Sequence, residues 1–306
     1  MAIGFHELKE KQLLRMSLYV AFLFVVVSIG FAIVTSSSAI LFDGVYSMIA
    51  FFMALLTLKV ANLVQRPDDD RFHFGYTAIE PTLNLFKSLI IISICLYAFF
   101  SSLLTLLEGG NPSEYDIAIV YGVFATIGCF GVSFYMRHYG KNLRSDLVMV
   151  DAHTWFVDGV LSASILIGFI LAYTLNLHGY TRLALYVDPL LLMILGLAML
   201  PIPFKILLAS LNEVINKAPP EAVTAVIEKK LAKSLTSVPY KHVEVRISKQ
   251  GRDLYMLVHI IVDKSFSIAT IGELDVIRKA CEHDLREWDP SIMMDILFIQ
   301  DPKLAD

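Results

Sequence analysis

Apolar residues in this chain run in blocks far longer than a soluble core element needs. Met16–Phe42 contains no charged side chain, nor does Gly44–Leu58, and Asp43 sits alone between them. A helix crossing the hydrocarbon of a bilayer takes about 20 apolar residues, so this stretch is too long for one span. The serine cluster Ser36-Ser37-Ser38 is the natural turn, which predicts spans over Leu14–Ser36 and Ala39–Leu63. Uncharged stretches at Ser88–Leu107, Ile117–Met136, Gly159–Thr181 and Pro189–Phe204 follow, extendable at one end through Glu80, Asp151 or Tyr186. The total is six spanning helices. The N-terminal MAIGFHELKEKQLLRM carries charges before a run too long for a signal peptide, and reads as a short amphipathic lead-in to the first span.

After Pro220 the pattern changes. EAVTAVIEKKLAKSL reads as a helix opened by Pro219-Pro220, since proline is tolerated at a helix start. HVEVRIS and LYMLVHIIVD alternate as strands about a KQGRD turn. GELDVIRKACEHDLREW places Leu274, Ile277, Ala280, Cys281, Leu285 and Trp288 close to helical spacing, and MMDILFI is a last strand. The predicted fold is a membrane α-helical domain over residues 1–217, followed by a small α-β-β-α-β domain over 218–306. A tail of about 85 residues is near the small end of independent stability, and pairing with a second copy would bury more of it.

Composition agrees with this division. Of the 306 residues 56% are hydrophobic and 18% charged, against about a quarter charged in soluble domains. A net charge of −4 excludes a strongly basic nucleic-acid binder. Cys95, Cys129 and Cys281 are far apart with no Cys-x-x-Cys pair, so neither a disulfide framework nor a thiolate metal site is indicated. Loop cations set the orientation. Lys9, Lys11, Arg15, Lys59, Arg66, Arg71, Arg137, Lys141 and Arg144 fall on one side, whereas the opposite loops offer Arg182 alone. Both termini are therefore expected in the cytoplasm, for an integral protein of bacterial inner-membrane type.

Charges inside spans are costly and usually mark an ion path. Asp43 lies in span two with Ser47 one turn on. Asp158 lies in span five with Thr154 one turn before and Asp151 further back. Positions four apart share a helix face, so Asp43, Ser47, Thr154 and Asp158 can present four oxygen side chains to one cation. Lys87, in span three, either snorkels to the interface, pairs with a carboxylate as a built-in counter-ion, or replaces the metal altogether. No phosphate loop, nucleophile elbow or His-Glu-x-x-His helix points to an enzyme.

These residues carry a resemblance. LFDGVYS, RPDDDRFHFGYTAIEPTL, VDAHTWFVDGVLS, YVDP and the closing FIQDP, in this order and spacing, resemble the cation diffusion facilitator family over nearly the whole chain. The resemblance implies a homodimeric antiporter that exchanges divalent metal for protons and exports it from the cytoplasm, with a metallochaperone-like tail that closes the dimer. The family's Asp-x-x-x-Asp and His-x-x-x-Asp pairs fall on Asp43/Ser47 and Thr154/Asp158, so half of the usual ligand set is altered. An oxygen-only set suits Mg²⁺ or Mn²⁺ better than Zn²⁺, although Zn, Mn, Fe, Co and Mg all stay open. His153 adjoins the expected histidine position but lies about 140° from Asp158 around the helix. Accessory sites implied by the family would draw on Asp68, Asp69, Asp70 and His73 in the second cytoplasmic loop and on His259 and Asp301 in the tail. The alternatives are an ordinary acidic turn and a purely structural dimerisation domain. Two rival functions stand beside transport of metal: a transport-inactive relative acting as scaffold or partner subunit, and a carrier of another solute.

Overall fold

The structure is a computed structural model that describes residues 2–305 apart from 65, 67, 68, 74, 144, 145, 237, 252, 268 and 269. The chain forms two bodies, one of residues 1–58 with 87–205 and one of residues 59–86 with 206–306.

The membrane body is built on α1 (Ala2–Thr35), α2 (Ser38–Val64), α3 (Ile79–Leu107), α4 (Tyr115–Leu143), α5 (Asp146–Leu177), the short α6 (Thr181–Ala184) and α7 (Val187–Met199), with α8 (Pro201–Val214) continuing the last span. Among the described residues six helical stretches are long and apolar enough to cross a membrane, the last of them Thr181–Val214. The expected lead-in is no separate element, because α1 is continuous from Ala2. The turn falls on the serines as expected, with Ser36 at φ 52. Span six is interrupted at Leu200. Pro201 and Pro203 lack the N–H groups that a continuous helix would need there.

The core of this body includes Ile40, Phe42, Cys95, Tyr121, Ile165, Phe169 and Leu192. Large apolar side chains also point outward: Tyr97 and Ile167 are 75% and 68% exposed. A water-soluble surface would not carry so many, and lipid satisfies them. Without a hydrophobic drive between helices in lipid, close approach depends on small residues. A Cβ on Gly44 would lie 3.1 Å from the Ser28 Cβ, and one on Gly122 would lie 2.9 Å from the Leu166 Cα. These two glycines let α2 meet α1 and α4 meet α5 beside the residues described below.

The second body carries α9 (Glu221–Ser234), β1 (Tyr240–Gln250), β2 (Asp253–Val262), α10 (Ile271–Arg286) and β3 (Ile292–Ile299). The order is the expected α-β-β-α-β. β1 and β2 form an antiparallel hairpin, and β3 joins β2 in parallel after the α10 crossover, giving the order β1-β2-β3. Leu254, Met256, Val258, Ile260 and Val262 alternate into a core with Ile227 and Leu231 of α9 and Cys281 and Leu285 of α10. The first half of β2 shows the period-2 pattern of a strand with one covered face, and from Val258 to Val262 both faces are buried.

Gly251 closes the hairpin at φ +61. A Cβ there would stand 2.6 Å from the carbonyl oxygen of Thr77, so the loop before α3 packs directly on the turn. The C-terminal end of α8 ties to the same hairpin: Lys249 pairs with Glu213 at 2.9 Å and Ser248 donates to Asn216 at 2.8 Å. Gly251→Ala is expected to cost about 1–2 kcal/mol from the left-handed backbone alone, and more from the clash. A thermal melt of the full-length protein should fall accordingly, and an unchanged melt would mean that the loop yields freely.

Candidate functional site

Asp43 sits in the second turn of α2 and is 7% exposed. Tyr121, in the second turn of α4 and fully buried, donates to Asp43 Oδ2 at 2.5 Å. The Ser28 hydroxyl of α1 lies 2.9 Å from the Tyr121 oxygen. A phenol has one proton, and here it goes to the carboxylate, so Ser28 is the donor to Tyr121. A directed chain Ser28 → Tyr121 → Asp43 thus crosses from α1 through α4 to α2. Ring contact with Phe31, 5.5 Å between centroids, seats the phenol.

Asp158 is half-buried on α5, and its charge is within reach of both Asp43 and Asp151. Ser162, one turn along from it, is fully buried. Its hydroxyl finds no ordinary hydrogen-bond partner among the described residues, the weakly donating thiol of Cys129 lying beside it. The Thr126 hydroxyl on α4 is likewise buried without a partner among the described residues. Buried hydroxyls normally find partners, so two oxygens stand ready in this part of the bundle. Asp43 also lines a small cavity of about 10 Å³ with Phe42, Tyr46, Leu161, Ile165, Leu195 and Met199. That is roughly the space of one water.

Asp43 and Asp158 are therefore close enough to feel one another's charge. Ser47 is half-buried on the same helix as Asp43, while Thr154 is exposed. Asp151 is half-buried next to Ser17. His153 turns elsewhere, into a separate cavity with Arg137, Met149, Ala152 and Phe156. Lys87 is half-buried, and among the described residues no carboxylate comes within ion-pair distance of it. Among the described residues no three His, Cys, Asp or Glu side chains gather as a metal site.

In the loop before α3, Asp68 lies outside the described residues. Asp69 accepts from the Tyr76 hydroxyl at 2.5 Å and from the backbone of Arg71 and Phe72, each at 2.9 Å. The Tyr76 bond, with the backbone bonds behind it, lowers the Asp69 pKa. Asp70 and His73 are exposed, and the His73 ring is bonded to the Asp70 carbonyl at 3.2 Å. Asp69 thus holds a turn. In the tail, His259 is buried in β2 with Nδ1 unpartnered among the described residues, and Asp301 caps a short 3₁₀ turn by accepting from Lys303 N at 3.1 Å.

A further carboxylate organises the opposite end of the bundle. Asp188, fully buried at the start of α7, accepts from the Ser37 hydroxyl at 2.6 Å, from the N–H groups of Ser38 and Ala39 at 2.9 and 3.2 Å, and from Asn111 at 3.1 Å. These N–H groups belong to the start of α2, which has no intrahelical acceptor for them. Asp188 caps α2 from another helix, five residues ahead of Asp43.

Sequence reasoning did not single out Ser28, Tyr121, Thr126, Ser162 or Asn111. For the first four the available signal was polarity within uncharged spans, with Ser162 four residues past Asp158; Asn111, in the loop between α3 and α4, offered no such signal.

Residues 14–214 match the model of the cation efflux transmembrane domain. Similar proteins include an uncharacterised transporter of Methanocaldococcus jannaschii, 21% identical over 79% of this chain and 82% of that protein. The metal cation efflux system protein CzcD of Cupriavidus metallidurans is 20% identical over 84% of this chain and 78% of its own length. The magnetosome protein MamM of Magnetospirillum gryphiswaldense is 23% identical over 47% of this chain and 46% of its own. With two thirds of its length matching the family domain and six apolar helices to carry it, the chain belongs to the cation efflux family of membrane transporters, the cation diffusion facilitators.

Proposed function

We propose that the protein exports a divalent metal cation from the cytoplasm in exchange for protons, through a site formed by Asp43 and Asp158 with hydroxyl oxygens. Family membership makes it a metal cation transporter and not an enzyme. The carrying observation is the placement of Asp43 and Asp158 within reach of each other's charge inside an apolar bundle. Two carboxylates balance a dication, and burying either charge unpaired would be costly. Ser162, lacking an ordinary partner and one turn from Asp158, joins Ser47 and Thr154 as an oxygen that a cation could take.

The ligand chemistry favours a hard ion. No nitrogen is in the set, because His153 shares its cavity with the Arg137 guanidinium, which repels a cation. Carboxylate, hydroxyl and water oxygens suit Mg²⁺ or Mn²⁺. Lys87, with no carboxylate at ion-pair distance among the described residues, does not fill the place of the metal. In this reading residues 1–217 do the transport and 218–306 join two copies, with both termini on the cytoplasmic side.

The test is uptake into proteoliposomes of Zn²⁺, Mn²⁺, Fe²⁺, Co²⁺ and Mg²⁺ in turn, with and without a proton gradient. Mn²⁺ or Mg²⁺ flux that collapses with the gradient is the expected result. Zn²⁺-selective flux would refute the oxygen-only site, and flux indifferent to the gradient would refute exchange with protons.

A further inference from the structure

We propose that the groove between α4 and α5, at the end of the bundle where the loops are basic, binds the phosphate of an anionic phospholipid through Arg137 and His153. The groove is a cavity of about 120 Å³ lined by Arg137, Met149, Ala152, His153 and Phe156. Arg137 stands two turns before the end of α4 and His153 two turns into α5. Both lie within stretches long and apolar enough to span the membrane. Among the described residues neither has an ion pair or a hydrogen bond to its side chain. A guanidinium at this depth is costly without a counter-charge, and the described residues supply none.

The chemistry of the lining selects the anion. The planar guanidinium fork matches two phosphate oxygens, and an imidazole N–H adds a third donor from the facing helix. The remaining walls, Met149, Ala152 and Phe156, are apolar and suit the glycerol and upper acyl region of a lipid better than a freely hydrated ion. Lys141, exposed one turn beyond Arg137, adds positive potential on the same helix. Basic pockets between membrane helices on the side of the anionic leaflet hold lipid headgroups in this way. The Arg137 guanidinium makes the groove hostile to the transported cation, so the site is separate from Asp43 and Asp158 and stands whichever metal is moved.

Native mass spectrometry of the full-length protein, stripped of lipid in detergent, tests the proposal with added phosphatidylglycerol, phosphatidylcholine and inorganic phosphate. Phosphatidylglycerol should bind, and Arg137→Gln should weaken it about tenfold or more, the worth of a charge-assisted bond. Arg137→Lys should recover part of this, because a point charge lacks the fork. His153→Gln should lose less than Arg137→Gln. Both side chains are exposed, and an unchanged size-exclusion profile would show that the variants fold. Equal binding of phosphatidylglycerol to wild type and to the Arg137→Gln, His153→Gln double variant would overturn the site. Phosphatidylcholine binding as tightly would overturn the need for net negative charge, and inorganic phosphate binding as tightly would overturn the lipid.

Discussion

Asp188→Ala is expected to remove about 3–5 kcal/mol of stability and to abolish a monodisperse, folded transporter. The carboxylate is fully buried and accepts four hydrogen bonds, from Ser37, Ser38, Ala39 and Asn111. Alanine leaves all four donors without an acceptor, at roughly 1 kcal/mol or more each. It also removes a negative charge from the N-terminal end of α2, where the helix dipole favours one. Asp188→Asn is the informative companion. Each carboxylate oxygen accepts two bonds, and an amide keeps one acceptor but turns an N–H₂ toward the donors of the other. About half the loss is expected. Asn111→Ala should cost about 1 kcal/mol, since the asparagine bridges Asp188 to the Ser36 carbonyl at 2.9 Å. Thermal unfolding in detergent, followed by size-exclusion chromatography, reads all three. An Asp188→Ala protein that melts with wild type would show that water or lipid caps α2 equally well.

The capping of α2 by Asp188 also shows where the sequence stops being legible. The six spans could be read because a membrane imposes one requirement, about 20 apolar residues, on a local window. The tail could be read because strand alternation and helix spacing are local too. Even the turn at Ser36–Ser38 and the hairpin around Gly251 came from local chemistry. Asp43 and Asp158 stood out because a carboxylate in an apolar run is conspicuous. Tyr121 did not, because a phenol in a span scores as one more aromatic until its partner is known. Its partners Ser28 and Asp43 lie 93 and 78 residues away, and Asn111 lies 77 from Asp188. Pairings over that distance leave no period in the sequence. The break at Leu200 is the opposite case: Pro201 and Pro203 were in plain view, but a hydropathy window reads through them. His153 shows a third limit. Its distance from Asp158 around the helix was calculable, but the presence of Arg137 across the groove was not.

Asp43→Asn and Asp158→Asn should each lower metal flux by roughly two orders of magnitude or more. A unit charge pair about 4 Å apart is worth about 4 kcal/mol in the effective dielectric of such a site, and a dication facing one carboxylate loses half of its neutralisation. The asparagine variants keep size and shape, so folding should be retained and the loss should appear in transport and in metal binding together. Tyr121→Phe separates the roles of the two oxygens on Asp43. In the structure the phenol occupies Oδ2 at 2.5 Å, which leaves Oδ1 to meet the ion and makes Asp43 a one-oxygen ligand. Removing the hydroxyl frees Oδ2, so Asp43 can clasp an ion with both oxygens. Larger ions tolerate that crowding and Mg²⁺, bound to strict octahedral geometry, does not. The expected result is flux that survives in Tyr121→Phe but shifts in favour of Mn²⁺ over Mg²⁺, measured as a ratio in the same vesicles. An unchanged ratio would mean that Tyr121 leaves Asp43 before the ion arrives. Full flux in the Asp43→Asn, Asp158→Asn double variant would move the ion path away from both residues.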